Sequence, residues 1–172
     1  MAEEAKKSVP KIDTPGFPAG FHELLGQFHC IWLMFDVTLD YSIGHFLGID
    51  REETHILVSG LEFGRKLRLL VELLKRSDHP KKDLLVECIG KLQAAKRDYI
   101  THSYIASNTT NVSFIYRSRG EFKSGRLEFH IDEFAAHVAG VVLATQLYQR
   151  NLGASGEEID AFAIAVLNMS KS

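Results

Sequence analysis

"LVECIGKLQAAKRDYITHSYIASNTTNVSFIY", residues 85–116, decides the fold, because its apolar period changes midway. Leu85, Cys88, Leu92, Ala95, Tyr99 and His102 recur at spacings of three and four, one face of an α-helix. After "ASNTTN" the period is two: Val112, Phe114 and Tyr116 alternate with Ser113, Ile115 and Arg117. Leu127, Phe129 and Ile131 repeat that alternation beyond the Gly-containing turn "SRGEFKSG". A helix running through His102, with that side chain turned inward, and then a two-stranded β-hairpin are expected.

Upstream, Phe21, Leu24, Leu25, Phe28, Trp32, Phe35 and Leu39 form the apolar stripe of a long helix ending near His45. Asp50 and Glu53 then form a capping box that opens a second long helix carrying Leu57, Leu61, Leu67, Leu70, Val71 and Leu74. Gly60 and Gly64, four apart, predict a close helix approach on it. Pro80 separates it from the third helix. Downstream, Asp132 is placed to cap a fourth helix through Phe134, Val138, Val141, Thr145 and Tyr148 to a stop at Gly153. "SGEE" starts a short fifth with Ile159, Phe162, Ala163 and Val166. The fold class is mostly α: an antiparallel helical bundle of four to five helices with an inserted two-stranded β-hairpin.

With 172 residues, 45% of them hydrophobic, the chain suits one domain over 18–172. Residues 1–17 mix charges with Pro and Gly and are expected to be a flexible lead-in, not a signal peptide. The longest apolar run, "CIWLMF", is far short of the roughly 20 residues of a membrane span, so no membrane contact and a cytoplasmic location are expected. Cys30 and Cys88 are lone cysteines on apolar helical faces, expected to be buried. The net charge of −2 argues against a strongly basic nucleic-acid binder. Yet Leu61–Arg126 holds 14 Lys or Arg against 7 Asp or Glu, which is either solvation of long helices or an anion-attracting surface.

Arg97, Asp98 and His102 spell R-D-x-x-x-H. Asp98 and His102 are i, i+4, where a carboxylate can orient an imidazole and favour its charged form. Arg97 lies about 140° around the helix from His102 and reaches the same place only through its long side chain or a frayed helix end. A helix-end histidine satisfied by Asp98 is the alternative.

In "RDYITH" and "HSYIASNTTNVSFIYRSRG" the chain resembles the HEPN superfamily, over roughly residues 20–150 in element order. The resemblance is to bacterial members with a hairpin and a final helix after the motif. It implies a homodimeric, metal-independent endoribonuclease that needs no cofactor, acting as a toxin or in defence, with an antitoxin protein as a candidate partner. Other members are inactive and only bind, so a non-catalytic interaction module or a nucleotide- or RNA-binding module is the alternative. Arg97 would bind the scissile phosphate and His102 would move the proton, leaving a 2′,3′-cyclic phosphate and a 5′-hydroxyl. The family's commonest residue after the Arg is Asn, and Asp98 departs from it. The two motifs of a dimer are expected to face a shared groove lined by Arg97 and Lys96, aided by surplus apolar surface at Trp32, Met34 and Phe63.

Ser103 and Tyr104 could add hydroxyls to that site. Arg117, Arg119, Lys123 and Arg126, interleaved with Tyr116 and Phe122, could hold single-stranded RNA or simply solvate an exposed turn. Glu52-x-x-His55 has di-iron spacing, but its companion motif and further glutamates are missing. Glu133 with His137, and His22, His29 and His45 without a common face, point to no metal site.

Overall fold

The computed structural model describes residues 16–117 and 124–169. In chain order they form α1 (Phe21–Leu47), α2 (Arg51–Val58), α3 (Phe63–Arg76), α4 (Lys82–Ala94), α5 (Arg97–Thr101), β1 (Tyr104–Ser107), β2 (Asn111–Arg117), β3 (Ser124–His130), α6 (Ile131–Leu152) and α7 (Gly156–Met169). The expected helical bundle with an inserted β-hairpin is present. No helix of the described residues is long and apolar enough to cross a membrane.

The 27-residue α1 is the central element. Phe21, Phe28, Phe35, Leu39 and Ile43 on its stripe are buried, and it packs on α2, α3 and α6. Phe28 meets His137, Phe35 meets Tyr148 and Thr38 accepts a hydrogen bond from Gln149, so α6 runs in the same direction as α1. Trp32 meets Phe63 and Phe46 meets His79, which gives α3 the same direction. α4 runs against α6: Ala95 lies by His137 at one end, and Cys88 acts on Tyr148 toward the other.

Several expectations are corrected. The second long helix is two helices, because the chain turns at residues 59–62 between α2 and α3. The predicted capping box is intact: the Glu53 N–H donates to Asp50 at 2.9 Å and the Asp50 N–H donates to Glu53 at 3.1 Å. Among the described residues Gly60 faces open space, and Gly64 meets only the end of the Arg68 side chain. The tight helical glycine is Gly44, where a Cβ would overlap the Thr54 side chain across the α1–α2 contact. The third helix ends at Ala94, and Lys96, in the left-handed region at φ 57°, redirects the chain into α5. His130 rather than Asp132 caps α6, accepting from the Asp132 N–H while its own N–H donates to Glu133 at 3.0 Å.

The sheet has a third strand. β1 pairs antiparallel with β2, and β2 with β3, in the order β1-β2-β3. Val112 and Phe114 of β2 are buried, and Phe114 packs against Phe21, Phe129 and Phe134. Tyr116 covers its cross-strand partner Gly125. The expected lead-in is packed at its end: Phe17 stacks on Phe21 at 5.2 Å, and Ser107 donates a 2.7 Å hydrogen bond to the Gly16 carbonyl. Cys88 is buried but Cys30 is exposed, contrary to expectation.

Between α1 and α3, the buried Lys66 Nζ lies 2.7 Å from Asp40 and 3.5 Å from Asp36. Burial pushes the Asp40 carboxyl above the ordinary carboxylate range, with Lys66 opposing the shift. A raised folded pKa means that protonated Asp40 favours folding. That contribution is complete below the unfolded value of 3.8 and is lost as pH rises through the folded value. Lys66→Met, which removes the counter-charge, is expected to lower stability by about 3 kcal/mol at pH 7 and by less near pH 4, in denaturant melts at both pH values. Gly44→Val should cost about 1–3 kcal/mol through overlap with Thr54, whereas Gly64→Ala should be neutral or stabilising by up to about 1 kcal/mol.

Candidate functional site

The turn at Lys96 builds the site. Once the chain leaves the α4 axis, the Ala95 carbonyl has no helical partner, and His137 of α6 donates to it through Nε2 at 2.9 Å. The five-residue α5 then starts in a new direction, and Arg97, its first residue, swings back toward α3. Its guanidinium lies 4.7 Å from the Phe63 ring centre and 5.9 Å from that of Trp32, a cation–π bed that leaves the side chain 27% exposed. The buried indole Nε1 of Trp32 has no hydrogen-bond partner among the described residues.

Around Arg97 is a cleft of about 320 Å³. Its walls are Phe63, Leu67 and Arg68 of α3, Leu92 and Gln93 of α4, and Lys96, Arg97, Asp98 and Tyr99 at the turn, with Trp32 also lining it. Arg68, Lys96 and Arg97 against Asp98 leave two positive charges in surplus. The Lys96 Nζ lies over the Tyr99 ring at 5.6 Å. Such a cleft suits an anion small enough to reach a half-buried guanidinium, which a phosphodiester is.

The expected motif is only partly assembled. Asp98 is 80% exposed and its carboxylate lies 3.5 Å from Arg97, so the partner it meets is Arg97. The helix that was to carry Asp98 and His102 on one face lasts only from Arg97 to Thr101. His102 closes it, its N–H donating to the Asp98 carbonyl at 3.1 Å, with its side chain exposed instead of inward and outside the cleft lining. About 7 Å of helix rise separates it from Arg97. The Ser103 hydroxyl donates to the Tyr99 carbonyl, which ties it to the turn rather than to the cleft. Tyr104 is exposed on edge strand β1.

Arg117 is exposed at the end of β2, while Arg119, Phe122 and Lys123 lie outside the described residues. Arg126 donates to Ser113 from Nε and Nη2 at 3.0 and 2.8 Å and lies 3.3 Å from Glu128, so it is engaged within the sheet. Tyr116 packs on Tyr99, ring centres 4.1 Å apart. The residues that the motif did not announce are Gln93, one helical turn before it, and Trp32, Phe63 and Arg68, which are distant from it in sequence. A larger hollow of about 490 Å³ lies between α1, α2 and α7, but its Asp50 and Glu158 cap helices and Arg51 offsets its remaining acid. Among the described residues no group of three or more His, Cys, Asp or Glu could hold a metal ion.

Arg97→Ala should lower stability by about 0.5–2 kcal/mol and change the emission of Trp32, the chain's one tryptophan, because a cation leaves the aromatic bed. Asp98→Ala, which removes only an exposed pair, should change stability by less than about 0.5 kcal/mol. Denaturant melts followed by tryptophan fluorescence check both. No family model, curated protein or solved structure matches the chain.

Proposed function

We propose that the chain is an HEPN-like, RNA-binding domain that acts as a metal-independent endoribonuclease, a toxin or defence protein of the cytoplasm. The observation that carries this reading is Arg97, half-buried on Phe63 and Trp32 in a cleft that also holds Arg68 and Lys96. A guanidinium bedded on aromatic rings is less hydrated than a free one, and its planar fork matches two phosphate oxygens. Tyr99 at the rim offers an aromatic surface to a neighbouring nucleotide.

In the reaction, the RNA 2′-oxygen attacks the adjacent phosphorus and the bond to the 5′-oxygen breaks. His102, exposed at the end of α5, accepts the 2′-hydroxyl proton, and a solvent water gives a proton to the departing 5′-oxygen. The negative charge building on the phosphoryl oxygens is met by Arg97, with Lys96 and Arg68 beside it. The partners are RNA, a second copy of the chain and, in a toxin system, an antitoxin protein.

A second reading is favoured by two observations: Asp98 occupies part of the Arg97 charge, and His102 lies outside the cleft. In it the domain binds RNA or a partner without cleaving it.

Incubation of the purified chain with single-stranded RNA separates the two. The ribonuclease reading expects cleavage that persists in EDTA and leaves cyclic phosphate ends. Arg97→Ala and His102→Ala should each slow it by roughly 10²–10⁴-fold. Cleavage that His102→Ala leaves unchanged, or that requires added Mg²⁺, sinks this mechanism. RNA binding that Arg97→Ala abolishes, without cleavage by the parent chain, decides for the second reading.

A further inference from the structure

We infer that the outer face of the three-stranded sheet holds one nucleotide of a single-stranded RNA, its base stacked on Tyr104. The inference rests on the RNA-binding reading above and adds to it a place for the base beside the reacting bond. Side chains alternate along each strand. Ile105, Val112, Phe114, Leu127 and Phe129 lie in or against the core. Tyr104, Ser113, Ile115, Arg117, Arg126 and Glu128 therefore stand on the other side. Tyr104 is 74% exposed, the most of any aromatic side chain among the described residues.

Cross-strand pairing sets three of these in one row, Tyr104 opposite Ile115 and Ile115 opposite Arg126. Neighbouring strands lie about 4.8 Å apart, so about 10 Å separates the two ends of the row. Half-buried Ile115 forms its floor. Arg126 is already oriented, since Nε and Nη2 donate to the Ser113 hydroxyl at 3.0 and 2.8 Å. Its 3.3 Å contact with Glu128 joins two exposed side chains, a pair that a phosphate readily replaces.

A ring at one end of a row and a guanidinium at the other match the base and the backbone phosphate of one nucleotide. Arg117 and Arg126 against Glu128 make the described face positive in sum. A stable protein partner needs roughly 800 Å² of matched surface, and Tyr104 and Ile115 are the face's two large apolar side chains among the described residues. A double helix keeps its base faces inside the stack, so Tyr104 selects an unpaired base. Tyr116 is not available for this task, because it packs on Tyr99 and covers Gly125.

The row adjoins the proposed chemistry. His102 and Tyr104 are both exposed with half-buried Ser103 between them, and two residues span at most about 7 Å of chain. The base on Tyr104 then belongs to the nucleotide whose 2′-hydroxyl faces His102. Tyr104 is a positioning residue: it holds that ribose in place without touching the reacting atoms.

The probe is a short single-stranded RNA with 2′-O-methyl groups, which 2′-attack cannot cleave, carrying 2-aminopurine as a fluorescent base. Binding to the full chain should quench the 2-aminopurine emission. Tyr104→Ala should weaken binding about 5–150-fold and abolish the quench, while Tyr104→Phe should stay within about twofold of the parent. Both should keep the parent's circular dichroism spectrum. Arg126→Gln should lower the slope of log affinity against log salt by about 0.7, the share of one phosphate on a single strand. Arg97→Ala reads the cleft separately in the same assay. Binding that Arg97→Ala abolishes and Tyr104→Ala leaves unchanged overturns the inference and spares the cleft. Binding that Tyr104→Ala weakens and Arg97→Ala does not supports the inference and sinks the role of the cleft. A parent chain that leaves the probe unbound, whatever else its sheet takes up, overturns the inference. So does a duplex of the same sequence held as tightly, or a Tyr104→Phe variant as weak as Tyr104→Ala.

Discussion

The arrangement around α5 depends on one constraint, that α4 stops at Ala94. A continued α4 would carry Arg97 along its own axis, away from Trp32 and Phe63, and would leave no room for β1. The stop is held by two unlike devices. Lys96 takes a left-handed backbone conformation that glycine or asparagine adopts more readily, and His137, from the helix antiparallel to α4, satisfies the carbonyl that the turn exposes. The second device ties the position of the site to the seating of α6, so a change on α6 can move Arg97 without touching it.

Elements defined by local pattern were legible. The stripe of α1, the alternation of β2 and β3, the Asp50 and Glu53 box and the Gly153 stop are each written within a few residues. Elements that depend on distant partners were not. Lys96 carries no sequence sign of a left-handed turn, and the apolar period runs on through Tyr99 and His102 although both end up exposed. β1 is four residues long, and its pairing with β2 is needed to define it. Gly60 and Gly64 have helix-crossing spacing, yet the only check on such a reading is the neighbour opposite, and it is absent there.

For the site, local spacing marked residues that the fold then arranges differently. Arg97 and Lys96 line a cleft within one chain, and its aromatic bed comes from residues 34 and 65 positions upstream of Arg97, Phe63 and Trp32 respectively. Phe63 was legible only as excess apolar surface, and Trp32 as that and as part of the α1 stripe. Asp98 and His102 share a face only on a helix longer than α5, so the short helix separates a pairing that spacing alone suggested. Met34 is the part of that excess that does remain exposed.

The shared direction of α1 and α6 places a burden on synthesis. Phe21, Phe28 and Phe35 find their aromatic neighbours Phe134, His137 and Tyr148 about 110 residues later in the chain. At about 5–20 residues per second, on the order of ten seconds pass between the emergence of α1 from the ribosome and that of its partner. During that interval α2 and α3 can cover only the other flank of α1. The nascent chain therefore presents a row of phenylalanines of the kind that chaperones bind, and slower translation between α4 and α6 would lengthen that exposure.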